Sequence, residues 1–350
     1  MGLIERLNGP ADSDSVFARA FALRDGRRAP EEEPDTDGSV PDLPAGVTLG
    51  EDGSVDAGAA VRALLKELQV QRSFGITTPS HLFSLLHRHL HVDRGAFLVP
   101  APEDEFLPAA TAGLDRTSAL RLRITGPEIE ALIEGPKVVI LSGAQRALFS
   151  DRLSRGDYRR SPRIALFPFF HLKRLLATLI VFGSPILELD PAVLDVILGA
   201  LSDGAGRMLF DGRHRPLGNR SRSVVLRPDQ AADTVKRLSR GPGNDTTSLS
   251  SFQTDLTPLV NLVREVHPHL DHSRLVEDMI DTTALLVSDT HDVVHYGGGR
   301  ILFLGRSVPT IDTGLLVHLI STTIAHLFGV AARPVLDFQE RSVDEIARDS

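Results

Sequence analysis

The sequence predicts an α+β protein of two domains, each a central, mostly antiparallel sheet flanked by helices. Three observations carry that expectation. Strand-like and helix-like patterns fall into two blocks, at 56–212 and 248–332, with a basic, Gly- and Pro-rich stretch at 213–247 between them. Within each block the strands arrive in runs joined by short turns, which suits antiparallel pairing better than strictly alternating crossovers. The helical segments carry their apolar residues at helical spacing, so each presents one face to a sheet.

The elements follow in chain order. Residues 1–55 are dense in acid, Pro and Gly, as in APEEEPDTDGSVPDLPAG, and bury too little apolar area to offset their ordering entropy. A short helix is expected at 15–23. Order begins near Asp56, where Val61, Leu64, Leu65 and Leu68 share one helical face. Thr78-Pro79 opens a second helix through HLFSLLHRHL, Thr as cap and Pro in the first turn. Strands are expected at GAFLVPA, FLPAATAG and ALRLRIT, the last with alternation at Leu120, Leu122 and Ile124. Thr125 and Glu128 form a capping box for the next helix. KVVILS, IALFPFF and LATLIVFG are further strands, and Asp190-Pro191 caps a long helix. In the 213–247 linker, VVLRPDQAADTVKRL has the pattern of one small element. The second block reads strand (LSSFQTDL), two helices, a hairpin around Gly297, and a helix opened by Asp312 and closed on Gly329. Residues 333–350 read as a loose acidic tail.

The 350 residues are 42% hydrophobic and 24% charged, a globular composition. A net charge of −8 argues against a general nucleic-acid binder. With no cysteine, disulfides, thiol catalysis and cysteine-ligated zinc are excluded. No apolar run is long enough to span a membrane, and MGLIERLNG lacks a signal-peptide core. A cytoplasmic setting is expected.

Two histidine groups invite a metal reading. Of His87, His89 and His91, only His87 and His91 share a helical face, and no glutamate follows His87 as the zinc-protease motif requires. HPHLDH, 267–272, is a loop rich in His and Asp. Each group by itself reads as solvated histidine, so no metal site is expected. Nucleophile-elbow and Walker patterns are absent. The triple glycine Gly297, Gly298, Gly299 sits between two strand patterns, whereas phosphate loops lead from a strand into a helix. It is a hairpin, and glycine there serves positive φ or the close approach of a ligand.

In HYGGGRILFL the second block resembles the GGDEF, or diguanylate cyclase, family. Tyr296, Gly297 and Gly298 match its signature hairpin. His295 replaces an arginine, Gly299 and Arg300 stand where two acids belong, and Ile301 replaces a phenylalanine. Asp255 matches the family's other metal acid. Thr257 replaces the following aspartate, Val260 or Asn261 holds the lysine position, and SDTHD lacks the inhibitory Arg-x-x-Asp. The resemblance implies a domain that has lost cyclase activity, because condensing two GTP molecules needs magnesium and magnesium needs carboxylates. The first block resembles a GAF domain in its helix–sheet–helix order, closing strand pair and terminal helix. Such domains commonly precede GGDEF domains.

Together the resemblances imply a non-enzymatic cytoplasmic signalling protein. Its GGDEF-like part would contact GTP or cyclic di-GMP through Gly297, Gly298, Gly299 and Arg300, without a bound metal or cofactor, or would bind a signalling partner. Dimerisation through the apolar stripe at 61–68 competes with its use as core. Two alternatives stand beside this reading: a nucleotidyl-transfer enzyme using Asp255, Asp292 or His295 as unusual ligands, and a ligand-free scaffold.

Overall fold

The computed structural model describes residues 57–70, 76–171, 174–210, 225–239, 249–287, 291–306, 313–331, 336–342 and 345–346. The expected helix at 15–23 and the capping residue Asp312 lie outside them. Two sheets, each flanked by helices, account for most of this chain.

Two helices come first, α1 (Ala57–Val70) and α2 (Pro79–Leu90). Thr78 caps α2, its side chain accepting from the His81 amide. Six strands follow: β1 (Gly95–Ala101), β2 (Glu105–Ala112), β3 (Ile124–Thr125), β4 (Val139–Ser142), β5 (Arg163–His171) and β6 (Arg174–Phe182). They form one sheet in the order β3-β2-β1-β6-β5-β4, and every pairing is antiparallel. Short helices lie between them, α3 (Arg116–Arg121), α4 (Gly126–Leu132) and α5 (Arg155–Arg159), and the long α6 (Pro191–Phe210) closes the block. The Thr125–Glu128 capping box forms as expected, and Asp190 accepts from the Ala192 amide at 2.7 Å.

This sheet is buried on both faces, which explains its uninterrupted apolar runs. Ala165, Phe167, Phe169, Leu179 and Val181 face α1, α2 and α6. Their alternates Ile164, Leu166, Ile180 and Phe182 face a second cluster with Leu122, Ile129, Phe149 and Leu153. The apolar stripe of α1 is core: Val61, Leu64, Leu65 and Leu68 are all buried.

One strand expectation fails. ALRLRIT does not run extended from Leu120, because Asp115 accepts from the Ser118 amide at 2.8 Å and starts α3 instead. Leu120 is left 68% exposed, while Leu122 and Ile124 are buried. A local cap overrides a three-residue alternation.

The second sheet is built from β7 (Val225–Leu226), β8 (Leu249–Asp255), β9 (His291–Gly297), β10 (Arg300–Arg306) and β11 (Gln339–Glu340), in the order β11-β8-β10-β9-β7. Its helices are α7 (Ala231–Ser239), α8 (Thr257–Val266), α9 (His272–Val287) and α10 (Thr313–Phe328). Two segments read as linker and tail contribute to this sheet. Within 213–247, β7 pairs parallel with β9, and Ala231 and Val235 of α7 pack beneath Val294, Leu302 and Leu304. Within 333–350, β11 pairs with β8, Phe338 stacks on Phe303 with ring centres 5.5 Å apart, and Ile346 is buried.

One apolar core runs through both sheets, taking in Leu82, Leu86 and Phe97 from the first block and Leu259, Met279, Phe303 and Ile324 from the second. Helix α2 is the shared element, packing on α1 and also on α9 and α10. Polar bonds fix the junction. The Ser80 amide donates to Asp278 Oδ2 at 2.9 Å, and Asp278 is paired with Arg274 at 2.7 Å. The Gly113 amide donates to the His269 carbonyl at 2.8 Å, beside an isolated bridge between Ala112 and Leu270. Arg88 donates to the Leu327 carbonyl at 3.3 Å.

Candidate functional site

The first candidate is the glycine hairpin. Gly297 and Gly298 have φ of 99° and 58°, and both are exposed. Positive φ is therefore what these two glycines supply. Gly299 differs. It is buried, and a Cβ there would lie 2.6 Å from Asp255 Oδ1 and 2.7 Å from both the amide and the hydroxyl of Thr257. No side chain fits at 299 without displacing that turn. Its carbonyl accepts from the Leu256 amide at 2.9 Å, so the hairpin tip is bonded directly to the start of α8.

Strand register places Asp255 opposite Arg300. The hairpin and Asp255 are thus adjacent. The Asp255 carboxylate, however, accepts from the Thr257 amide at 2.8 Å and stabilises the first turn of α8. His295 Nε2 bonds the Gly298 carbonyl at 2.8 Å. Asp292 accepts from Arg237 at 2.7 Å and lies opposite Leu304. Asp255 and Asp292 therefore lie on opposite neighbours of β10 and are offset by four residues along it, about 13 Å in that direction alone, too far to share one ion.

Two grooves of about 200 Å³ each flank Arg300. Tyr296, Arg300 and Arg341 line one, and Asp255, Arg300 and Asp337 line the other. Each is smaller than the roughly 300–1,000 Å³ typical of small-molecule pockets. The first still combines two guanidinium groups with an aromatic ring. Arg341 comes from the segment read as tail, so no local motif marked it.

The second candidate lies at the junction. The histidines of LLHRHLH part company: His89 pairs with Glu67, and exposed His91 ends α2 in a left-handed conformation at φ 52°. His87 turns toward the loop between α8 and α9, where it meets His267 and His269. One nitrogen of each of these three rings lies within 4.8 Å of one from each other ring. The His87 and His269 ring centres are 4.1 Å apart. His87 Nδ1 is 2.8 Å from Asp93 Oδ1, and His267 Nε2 is 2.7 Å from the Phe328 carbonyl. Both ring contacts are to oxygen acceptors, so the imidazole N–H donates in each. Burial pushes His267 and His269 down to about 4, with the neighbouring His87 adding to it. Fully buried His81 nearby is pushed down to about 3, first by desolvation and then by Arg88.

A family model described as "Uncharacterised protein N-terminal domain" matches residues 52–203, the span of the first sheet. Among solved structures, the chain is similar to the GAF domain of a phosphoenolpyruvate-protein phosphotransferase (ptsP) from Coxiella burnetii, at 16% identity and a TM-score of 0.35, over 45% of this chain and 99% of that one. It is also similar to the GAF domain of an Acinetobacter phosphoenolpyruvate-protein phosphotransferase, at 14% identity and a TM-score of 0.33, over 47% and 96%. No curated protein matches the chain. Among the described residues, no helix is long and apolar enough to cross a membrane.

Proposed function

We propose that this chain is a non-catalytic signalling protein, in which a GAF-like sensor part is coupled to a GGDEF-like part that acts by binding a nucleotide or a partner. The junction is the observation that carries the coupling. Helix α2 contributes to the core of the first sheet, yet its Ser80 amide is held by Asp278 of α9 and its far end by the Leu327 carbonyl through Arg88. A ligand-induced shift at the first sheet would be passed to the second through this helix, because packed interfaces move as units rather than deform continuously.

The loss of catalysis rests on the hairpin. Position 299 has no room for an acid, Asp255 is engaged by the turn of α8, and Arg300 adds positive charge beside it. Against the rival enzyme, in which Asp255, Asp292 or His295 would serve as an unusual metal ligand, each of the three already has a partner: the Thr257 amide, Arg237 and the Gly298 carbonyl. The groove of about 200 Å³ with Arg300, Arg341 and Tyr296 suits one phosphate and part of a ring of GTP or cyclic di-GMP, the rest lying over the surface, and this favours nucleotide contact over a ligand-free scaffold.

Two measurements test the reading. Incubating the purified chain with GTP and magnesium or manganese should yield no cyclic dinucleotide; accumulation of that product would end the proposal of lost catalysis. Either nucleotide should raise the melting temperature, and Arg300→Ala should abolish the rise. Coupling is read separately. The two tyrosines fall one to each block, Tyr158 and Tyr296. Tyr158→Phe and Tyr296→Phe variants should report the same unfolding midpoint by fluorescence, and two distinct midpoints would uncouple the blocks.

A further inference from the structure

We infer that His87, His267 and His269 form a binding site for a divalent transition-metal ion of the zinc class, clamping α2 to the loop between α8 and α9. His87 lies 180 residues before His267 and 182 before His269 in sequence, and each of the three rings supplies a nitrogen to one point. Their second contacts are those that metal-bound imidazoles make. A ligating histidine donates its other N–H to a carboxylate or a backbone carbonyl, which fixes its orientation and raises its basicity. His87 does so to Asp93 and His267 to the Phe328 carbonyl. By elimination His87 Nε2 and His267 Nδ1 carry the lone pairs.

The His267 lone pair has no other use among the described residues. His267 Nδ1 is buried without a hydrogen-bond partner, and of the two buried nitrogens of His269 one has the Phe83 carbonyl beside it, leaving the other for an ion. His267 itself is fully buried. Buried polar atoms are rarely left in this state, and one such nitrogen from each of two neighbouring rings suits the lining of an ion. Arg88, next to His87 in the chain, is paired with Glu67 at 2.9 Å.

The donor set identifies the class of ion. Three imidazoles with no cysteine suit zinc, copper or nickel and exclude magnesium and calcium, which prefer oxygen. Zinc bonds of about 2.0–2.1 Å to tetrahedral ligands put the nitrogens about 3.3 Å apart, within reach of small ring rotations from the present spacing. The His87 side chain is 28% exposed and Asp93 66%, so the ion enters from solvent and keeps water as its fourth ligand.

The test uses the full chain, stripped with a chelator and titrated with zinc chloride by calorimetry and with cobalt(II) by visible absorption. One equivalent should bind, cobalt should give the strong bands of a tetrahedral site, and zinc should raise the melting temperature. His87→Gln and His269→Gln should each weaken binding roughly tenfold or more, and Asp93→Asn by about 10–100-fold. His272→Gln, an exposed histidine of the same loop, should bind as the parent does. Circular dichroism checks that each variant is folded, and His87→Gln decides the matter if His269→Gln is not. The inference fails if no saturable zinc binding occurs, if folded His87→Gln binds unchanged, or if His272→Gln loses as much.

Discussion

Replacing Asp278 by alanine should cost the protein much of its stability, through the junction between the two sheets. Asp278 is fully buried and Arg274 is 4% exposed, at 2.7 Å. The carboxylate also holds the Ser80 amide at 2.9 Å. Desolvation alone would lower the Arg274 pKa, but Asp278, with help from Glu277 and Asp281, raises it on balance. Removing one partner of a buried ion pair typically costs about 3–5 kcal/mol. The two remaining acids temper this toward the lower end, so about 3 kcal/mol is expected, against a total of roughly 5–15. Urea unfolding followed by far-UV circular dichroism, extrapolated to water, gives the number. The double variant Asp278→Leu with Arg274→Met should recover most of the loss, since an apolar pair leaves no orphaned charge. A loss under about 1 kcal/mol for Asp278→Ala would put the pair in the class of surface ion pairs and refute the reasoning.

Two further outcomes follow from the same geometry. Gly299→Asp, which restores an acid to the hairpin, should destabilise the chain by about 1–3 kcal/mol through overpacking against Asp255 and Thr257, and should produce no cyclic dinucleotide. A variant as stable as the parent would show that the turn has room. In the presence of a chelator, stability should fall as pH drops below about 6.5. His81, His267 and His269 are depressed from 6.5 to about 3, 4 and 4. Below 6.5 the unfolded chain binds protons that the folded chain refuses, so the stabilisation is complete above 6.5 and erodes toward the folded values. The slope is up to about 1.4 kcal/mol per pH unit for each histidine. Urea midpoints at pH 7, 6 and 5 (nominal steps of about one unit) measure it, and a flat profile would contradict burial of these rings.

What the sequence determined by itself was local. Helix and strand positions followed from apolar periodicity. The starts at Thr78, Thr125 and Asp190 followed from side chains that reach their own backbone. Such interactions span three or four residues, so neighbours in the chain suffice to read them. ALRLRIT misled because its alternation was short and the Asp115 cap stronger. Tertiary structure alone decided the rest. His87 and His91 share a helical face in sequence, yet His87 meets His267 and His269 from another block. Gly299 looked like a missing acid, and only the packing of Thr257 against it shows that the position is closed. The edge strand at Gln339 carries no strand pattern of its own and forms because β8 offers unpaired backbone. In each case the deciding partner lies tens to hundreds of residues away, and its position is fixed by burial of a shared core, which no local pattern encodes.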